Sequence, residues 1–316
     1  MSPTAGSPEP TSPRLGFIDA GRLGCSLAIA VQRSGHAVTA VSRRDPSRAA
    51  DLASSLGDQV LGTTVPQDVV DATDVVFLTT TDDRIAPLAE TLSFRPGQTV
   101  IHCSGATPVS TLSNVLPDGS WAAGFHPLQT FPDEHGADRF EGVTFGIESD
   151  DPSALAWLKR LASDLGGTCV TLDDASRPLY HASAVMIGPL TAALAGLASE
   201  LWSGLGYDRD TGLRALAPLL LATGRHVADM GIPSAMTGPF VRGDVDPVRA
   251  HVHALESFRP ETLHAYAALA LAQLPLAAER GNIPGDRVQE LRSLLADAGH
   301  APPPPPTPRG DEIVAE

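Results

Sequence analysis

The sequence predicts an α/β protein in which a parallel-sheet domain is followed by an all-α domain. Two observations predict this class. Short apolar runs alternate with helical patterns over about the first half of the chain, as they do in βαβ units. Beyond residue 172 the strand pattern stops, and the sequence up to Ala298 is almost entirely helical in character.

The predicted sheet is built from short apolar runs that are separated by turn residues. Helices are predicted between the first of these runs, over Arg22–Arg33 and Pro46–Leu56. Strands that alternate with helices at this spacing pair in parallel, because each helix returns the chain to the same edge of the sheet. The strand candidates are Leu15–Ile18, Ala37–Val41, Asp74–Leu78, Thr99–Cys103, Trp121–Phe125, Thr144–Ile147 and Thr168–Leu172.

The second half of the chain is predicted to be a bundle of helices. The segment Leu179–Trp202 is apolar on nearly all faces, which predicts a helix that is buried on most of its surface. Gly188 and Pro189 interrupt this segment, and a kink is expected there because proline removes a backbone donor. Further helix candidates are Arg209–Met230, Pro247–Phe258, Glu261–Arg280 and Pro284–Ala298.

Length and composition set the domain organisation. A chain of 316 residues predicts two domains, which we place at residues 14–172 and 173–298. Residues 1–13 and 299–316 are rich in proline and predicted to be disordered, since neither segment can bury a core. The net charge of −15, without clustered basic residues, argues against a nucleic-acid partner.

Cysteine usage and hydropathy bear on the compartment. The three cysteines lie far apart and form no CxxC pair, which argues against a disulfide scaffold or a zinc ribbon. The N-terminus lacks a secretory signal, and no apolar run is long enough for a membrane span without glycine or proline breaks. We therefore expect a cytoplasmic protein. Lys159 is the only lysine, so chemistry that needs a titrating lysine has a single candidate.

A glycine-rich turn joins the first predicted strand to the first helix. On the G-x-G-x-x-G pattern, Gly21 and Gly24 take the second and third glycine positions. Such a turn lets the backbone approach a pyrophosphate, which the N–H groups at the helix N-terminus then bind. It predicts a dinucleotide site, the alternative being a tight turn without a ligand. The predicted cofactor contacts here are Asp19, Ala20, Gly21, Arg22, Leu23 and Gly24.

Asp19 occupies the first glycine position of this pattern. A residue with a Cβ resists the turn geometry, although aspartate tolerates it better than most residues do. Its carboxylate would also repel a phosphate. Weakened cofactor affinity or a rotated side chain is expected.

The end of the second predicted strand favours NADP over NAD. Instead of the acidic residue that accepts a ribose 2′-hydroxyl, the chain carries Ser42, Arg43 and Arg44. Guanidinium groups donate in pairs to a 2′-phosphate, so these residues are further predicted cofactor contacts. A solvated basic loop is the alternative.

The motifs resemble a bacterial family that joins a Rossmann-like domain to a helical C-terminal domain of unknown function, DUF2520. This family is distantly related to pyrroline-5-carboxylate reductase and the hydroxyacid dehydrogenases, and its helical domain is similar to the C-terminal domain of 6-phosphogluconate dehydrogenase. The resemblance implies a nicotinamide-dependent fold with an active site between the domains. The matching segments are 16–24, 102–106, 124–131, 180–184, 237–239 and 242–244.

The chain departs from the family pattern at three positions. Asp19 stands where glycine is usual, Arg177 where lysine is expected before the Tyr-His pair, and Pro189 where asparagine is common. Arginine stays charged and cannot relay a proton, whereas a buried lysine can titrate. Arg177 is therefore expected to hold a carboxylate or stabilise negative charge.

Histidines are the predicted proton carriers, because imidazole titrates near neutrality. His126 is ranked first and His181 second, while Ser104 and Arg177 complete the catalytic candidates. His102, Tyr180 and Arg242 are predicted to bind substrate. Each histidine taken alone is more often a structural residue, and it is the three together at predicted crevice positions that favour a catalytic role. A zinc site is the lesser alternative, since no close ligand pair accompanies these histidines.

Taken together, the sequence predicts an NADP-dependent oxidoreductase acting on a small, anionic ketone, imine or hydroxy compound. No metal is expected, and the predicted partners are the substrate and a second copy bound through the helical domain. One alternative is a non-redox binding or regulatory protein with a degenerate site, which Asp19, Arg177 and Pro189 favour. Another is a lyase or cyclase that uses the cofactor structurally.

Overall fold

The computed structural model describes residues 12–281 and 283–299 and confirms the predicted fold class. Its sheet has eight strands in the order β3-β2-β1-β4-β5-β6-β7-β8. Apart from residues 12, 13 and 299, the predicted disordered segments lie outside the described residues. The strands are β1 (Leu15–Ile18), β2 (Val38–Ser42), β3 (Leu61–Thr63), β4 (Val75–Leu78), β5 (Thr99–His102), β6 (Trp121–Pro127), β7 (Thr144–Ser149) and β8 (Thr168–Thr171).

All adjacent strands pair in parallel except β6 and β7, which are antiparallel. The predicted parallel sheet therefore has one antiparallel pair. Consecutive strands can pair in parallel only through a crossover connection, which is usually a helix. Between β6 and β7 the only regular element is the 3₁₀ turn Ala137–Phe140. Antiparallel pairing sets His126 of β6 opposite Gly146 of β7.

Helices cover both faces of the sheet. Helix α2 begins after Asp45, whose carboxylate accepts hydrogen bonds from the N–H groups of Ser47 and Arg48, with Pro46 in the first turn. The helices associated with the sheet are α1 (Arg22–Arg33), α2 (Pro46–Leu56), α3 (Pro66–Ala72), α4 (Asp82–Glu90), α5 (Ser110–Ser113) and α6 (Pro152–Asp164). The exposed Lys159 lies on α6, as its pattern predicts.

Two apolar clusters hold these layers together. One contains a row of aromatic rings, in which Phe17 stacks on Phe77 with a centroid distance of 4.7 Å and Phe125 stacks on Phe145 at 4.5 Å. The other lies on the opposite face of the sheet around Val69. Burial on both faces explains why the central strands are continuous apolar runs.

The backbone divides into two compact units, a first that ends at Pro189 and a second that begins at Leu190. The first unit thus includes α7 (Arg177–Ile187), whereas the sequence-based domain division was placed at residue 172. The second unit is helical, as predicted, and its core includes Val248, Leu274 and Leu291. The other helices are α8 (Pro189–Glu200), α9 (Arg209–Met230), α10 (Pro239–Arg242), α11 (Val245–Phe258), α12 (Pro260–Glu279) and α13 (Gly285–Gly299).

The predicted helix Leu179–Trp202 is two helices, α7 and α8, which meet at Gly188 and Pro189 as the kink prediction requires. The expectation that it is buried on most faces is wrong. Leu179 and Ile187 are about four-fifths exposed, at 79% and 80%. Because the segment is apolar all round, its composition could not distinguish a covered helix from one whose apolar face is open.

Among the residues that the structure describes, one helical segment, Arg177–Leu205, could cross a membrane by length and composition alone. It has 29 residues with a mean hydropathy of 1.6, and 6% of the most apolar window is buried. A single segment of this kind is weak support for a membrane span, because core helices of soluble proteins pass the same test. The glycine and proline breaks noted in the sequence lie within it.

Candidate active site

The carboxyl ends of the parallel strands bring most predicted site residues to one edge of the sheet. Strands β2, β1, β4, β5 and β6 are neighbours with the same direction, so the loops that follow them lie side by side. Open α/β sheets bind their ligands at this edge. Two cavities lie among these loops.

The first cavity has a volume of about 290 Å³ and lies at the glycine-rich turn. Helix α1 begins at Arg22, and its N-cap residue, Gly21, makes no side-chain capping bond. The first N–H groups of a helix have no partner inside the helix, so this end of α1 can accept an anion. The cavity is lined by Asp19, Ala20, Gly21, Arg43, Arg44, Asp45, Arg48, Thr79, Thr80 and Thr81.

Gly24 allows α1 to pack directly on the end of β4. A Cβ at this position would lie 2.3 Å from Oγ1 of Thr79, which real structures do not tolerate. Close approach of helix and strand is the function that the third glycine of a dinucleotide motif serves. The turn therefore fits the diphosphate of a dinucleotide in both its shape and its free donors.

Asp19 adopts the left-handed backbone conformation that glycine normally supplies, with φ at 54°. Its Oδ2 is buried without a hydrogen bond, and the closest cation is the Arg84 guanidinium at 3.4 Å. The carboxylate is thus held toward a positive charge at the border of the cavity. This pairing reduces the repulsion that the sequence predicts between Asp19 and a phosphate, although it does not remove the charge.

The residues that are predicted to bind the 2′-phosphate differ in how free their side chains are to do so. Ser42 is buried and supports the turn, since its carbonyl accepts from Ala20 N–H at 3.0 Å. Arg44 is exposed and lines the cavity. Arg43 also lines it, but its guanidinium donates two hydrogen bonds, of 2.7 and 2.8 Å, to the carboxylate of Glu134.

The second cavity, of about 640 Å³, contains both leading catalytic candidates. His126 lies in β6 rather than in the turn after it, and His181 lies in α7. Their rings meet nearly edge-on with a centroid distance of 6.2 Å. The cavity is lined by His126, Leu128, Gln129, Thr130, His181, Ser183, Ala184, Val185, Ile187, Gly188 and Pro189.

Gly105 makes this pairing of histidines possible. A Cβ there would lie 2.6 Å from Cδ2 of His181 and 2.9 Å from Cε1 of His126. The two rings therefore fill the space that any other residue would need. Gly105 belongs to the segment 102–106 after β5, so β5, β6 and α7 all contribute to one cluster.

Tyr180, which directly precedes His181 in α7, holds His126 by a hydrogen bond. Its hydroxyl lies 2.9 Å from Nδ1 of His126 and 3.3 Å from the carbonyl oxygen of the same residue. Gly146 leaves room for the phenol ring, since a Cβ there would lie 2.5 Å from the hydroxyl oxygen. Tyr180 was predicted to bind substrate, and the structure gives it an orienting contact with His126.

Burial governs the protonation of His126 and Tyr180. It lowers the pKa of His126 to about 4, with smaller contributions from His181 and Arg177. Burial also raises the pKa of Tyr180 to about 12. At neutral pH the imidazole is therefore uncharged and the phenol is protonated, and the bond between them engages Nδ1 of His126 and leaves Nε2 available.

Arg177 lies behind the cavity rather than in it. It is fully buried and donates from Nε to Glu148 at 3.1 Å and from Nη1 to the Ser104 carbonyl at 3.0 Å. A second nitrogen, Nη2, also bonds to Glu148. Burial raises the pKa of the Glu148 carboxyl, which these hydrogen bonds oppose. The guanidinium thus joins the start of α7 to β7 and to the loop after β5.

His102 and Ser104 are also interior groups. Both ring nitrogens of His102 are buried without a hydrogen-bond partner, and burial lowers its pKa to about 3. The Ser104 hydroxyl oxygen accepts from the N–H groups of Ala106 and Thr107, at 3.1 and 2.9 Å. It therefore shapes the turn that presents Gly105. The predicted substrate and catalytic roles of these two residues stay predictions.

Arg242 lies in the second unit, at the end of α10. Its side chain is exposed and donates to Asp244 at 2.7 Å. Its predicted contact with substrate stays a prediction. Within the described residues, no group of three or more His, Cys, Asp or Glu side chains is arranged to hold a metal ion.

Several residues of the site carried no decisive signal in the sequence. Gly105 is part of a motif, but only the structure shows that it separates two histidines. Glu148 lies in strand β7, and Glu134 lies in the loop between β6 and β7. Nothing in their local sequence indicates that distant arginines pair with them.

Family models account for most of this architecture. A Rossmann-like domain matches residues 2–127, and the domain of unknown function DUF2520 matches residues 143–273. The chain therefore combines a Rossmann-like domain with a DUF2520 domain. In this DUF2520 protein the second match begins at β7, so it includes Glu148, Arg177, Tyr180 and His181.

Solved structures agree with this assignment. A Bacteroides fragilis protein named as a candidate NADP oxidoreductase is 25% identical, with a TM-score of 0.67, over 84% of this chain and 98% of that one. A Thermotoga maritima protein is 22% identical, with a TM-score of 0.63, over 90% and 98%. The 1-pyrroline-5-carboxylate reductase of Streptococcus pyogenes is 13% identical, with a TM-score of 0.58, over 89% and 98%. No curated protein matches the DUF2520 chain.

Proposed function

We propose that this DUF2520 protein is an NADP-dependent oxidoreductase that acts on a small anionic ketone, imine or hydroxy compound. The observation that carries the proposal is that one edge of one sheet holds both a dinucleotide turn with arginines and a cavity with an oriented histidine pair. The name given to the similar Bacteroides fragilis protein agrees with it.

The chain supplies binding and orientation for the cofactor. The N-terminus of α1 would hold the diphosphate, and Arg43 and Arg44 would hold a 2′-phosphate at the end of β2. When bound, the cofactor supplies or accepts the hydride, and the protein places the substrate and moves a proton. The arginines after β2 favour NADP over NAD because they replace the usual acidic acceptor of the ribose hydroxyl.

His126 is the proposed proton carrier. Its low pKa leaves the imidazole neutral at pH 7. A substrate carboxylate in the cavity would raise this pKa, because an opposite charge favours the imidazolium form. His126 would then take up a proton as the anion binds. In reduction, that proton passes from Nε2 to the substrate oxygen or nitrogen while the carbon receives the hydride.

The low pKa of His126 also favours an anionic substrate. A neutral substrate would leave His126 unprotonated at pH 7, since its pKa is about 4. Tyr180 keeps Nδ1 engaged, so Nε2 is the nitrogen left for a substrate. His181 borders the same space and would contact the substrate from the α7 side.

The test combines cofactor binding with turnover. Isothermal titration should show NADPH binding more tightly than NADH, and a panel of 2-oxoacids and cyclic imines should consume NADPH absorbance. His126→Asn should bind NADPH like the parent protein and turn over far more slowly. A protein that binds NADPH but consumes it with none of these substrates would argue against the proposal.

A non-redox binding function is the second candidate, because Asp19 retains a carboxylate beside the proposed diphosphate site. In that case the nucleotide would be bound as a ligand without being oxidised. This candidate would be favoured if the protein bound both the cofactor and a small acid, the acid tightly. The redox state of the cofactor would also have to stay unchanged.

We also propose that two copies associate through the helical unit and that the protein is cytoplasmic. Large apolar side chains on α9 are exposed, and such patches usually mark an interface. The three cysteines are free, which suits a reducing compartment. Sedimentation should give twice the chain mass, and Leu219→Glu should reduce it. The exposed large apolar residues of α9 are Leu213, Leu219, Leu220, Leu221, Val227 and Met230.

A further inference from the structure

Two of the arginines beside the first cavity are paired with a carboxylate from a distant part of the chain. Glu134, in the loop between β6 and β7, accepts hydrogen bonds of 2.7 and 2.8 Å from Nη2 and Nη1 of Arg43. Arg48 also bonds to the same carboxylate. One side chain therefore occupies two of the three arginines that line the cavity.

The Glu134 carboxylate is charged at every physiological pH. The hydrogen bonds from Arg43, together with the charges of Arg43 and Arg48, lower its pKa to about 2 despite partial burial. Arg43 is mostly covered, with 10% of its side chain exposed. The pair is thus a shielded bidentate contact, which is stronger than an ordinary surface ion pair.

This contact has the geometry that a phosphate group would use. A guanidinium donates two parallel hydrogen bonds to carboxylate and phosphate oxygens alike. For Arg43 to bind a phosphate in this way, its two terminal nitrogens must leave Glu134. Arg44, whose side chain is exposed on the same cavity, can bind a phosphate without breaking that contact.

The loop holds Glu134 in place from both sides. The N–H of Gly136 donates to the Ser26 hydroxyl of α1 at 3.0 Å, and the N–H of His135 donates to Asp133 at 2.9 Å. The carboxylate is therefore a tethered competitor for the arginines rather than a freely moving side chain.

We propose that Glu134 is an internal substitute for the 2′-phosphate and that it determines the discrimination between NADP and NAD. The inference rests on the proposed cofactor function. NADP must displace Glu134 to engage Arg43 and Arg48, so the carboxylate weakens NADP binding and leaves NAD binding nearly unchanged. The parent protein then prefers NADP over NAD by less than it would if all three arginines were free to bind the 2′-phosphate.

The test measures the affinities of NADP⁺ and NAD⁺ for the full chain by isothermal titration. Glu134→Gln keeps the shape of the side chain and removes its charge. Asp133→Asn is the matched control, because it removes one charge from the adjacent residue, which contacts Arg139 and His135 rather than Arg43. Thermal unfolding checks that both variants fold.

Glu134→Gln should tighten NADP⁺ binding about tenfold, which corresponds to losing one charged competitor, and change NAD⁺ binding less than twofold. Asp133→Asn should change neither. Weaker NADP⁺ binding in Glu134→Gln would overturn the proposal, because Glu134 would then act as a support for Arg43. An equal change for both dinucleotides would also overturn it.

A fragment distinguishes this inference from the proposed function. Adenosine 2′,5′-bisphosphate carries the 2′-phosphate without the nicotinamide, and 5′-AMP lacks that phosphate. Glu134→Gln should tighten only the bisphosphate. If dinucleotides bind the parent protein and the variant changes neither fragment, the inference fails alone. If neither dinucleotide binds the parent protein or the variant, the proposed function fails and the inference fails with it.

Discussion

The Tyr180 hydroxyl lies 2.9 Å from Nδ1 of His126, and the two rings meet nearly edge-on. The contact joins α7 to β6 and determines which ring nitrogen of His126 stays available. A second pair of the same geometry exists in the helical unit, where the Tyr266 hydroxyl lies 2.9 Å from Nδ1 of His251.

Tyr180→Phe should lower turnover about fivefold, because one hydrogen bond that orients His126 is worth about 1 kcal/mol. The affinity for NADPH should stay unchanged. Tyr266→Phe is the control, since it removes an equivalent bond from His251. Steady-state kinetics with the best substrate of the panel provides the measurement. Equal losses in both variants would show that Tyr180 has no special relation to the reaction.

His126→Asn and His126→Gln should each lower turnover by about 10²–10⁴, the range for a lost general acid or base. Glutamine places an amide near the former Nε2, so it should retain more substrate affinity than asparagine does. The separate values of kcat and KM give the comparison. Turnover within twofold of the parent protein would exclude His126 as the proton carrier.

Gly105→Ala should disturb the histidine pair, because the new Cβ would lie 2.6 Å from His181 and 2.9 Å from His126. Displaced rings in a packed site cost about 1–3 kcal/mol, and turnover should fall strongly. Gly196→Ala is the control, since a Cβ there meets no atom within 4 Å. Urea unfolding and kinetics check both variants, and a Gly105→Ala protein with parental activity would contradict the geometry.

Asp19→Asn and Asp19→Gly should both tighten NADPH binding about fivefold. A carboxylate a few ångströms from a diphosphate costs about 1 kcal/mol even in water. Asparagine keeps the side-chain shape and tolerates the positive φ of 54°, so it isolates the effect of charge. Titration calorimetry gives both affinities. Weaker binding in both variants would mean that the carboxylate helps to hold the ligand.

Stability should fall as pH decreases below about 6.5. Unfolded histidines protonate near that pH, whereas burial keeps His102 neutral down to about 3 and His126 down to about 4. The unfolded chain then binds more protons, so each histidine costs the fold about 1.4 kcal/mol per pH unit. His102→Leu should remove about half of this loss between pH 6.5 and 5. If the urea midpoints of the parent protein and of His102→Leu fell by the same amount between pH 6.5 and 5, this assignment would be contradicted.

The sheet and most helices could be predicted because their signals are local. The apolar run Val75–Leu78 and the proline after Asp45 act within a few residues, and both elements form where the pattern indicates. The strand β3 (Leu61–Thr63) was missed, since it has only three residues and is not a buried apolar run. Pairing across β6 and β7 was also missed, because strand direction depends on the connection.

The site was predictable in its members but not in their contacts. Histidines and arginines could be assigned to strand ends, yet the sequence does not show which of them is covered. Arg177 has the composition of an anion-binding residue, but Glu148, which lies 29 residues earlier in the chain, pairs with it in the interior. Long-range pairs of this kind arise from packing, and no local pattern reports them.

The segment between β6 and β7 borders both cavities. Leu128, Gln129 and Thr130 line the histidine cavity, and Glu134 reaches the arginines of the other cavity only a few residues later. Two ligands can therefore meet the same short stretch of backbone at one edge of the eight-stranded sheet. The consequence is kinetic: this one connection could impose a compulsory order in which the two ligands bind, with no hinge required.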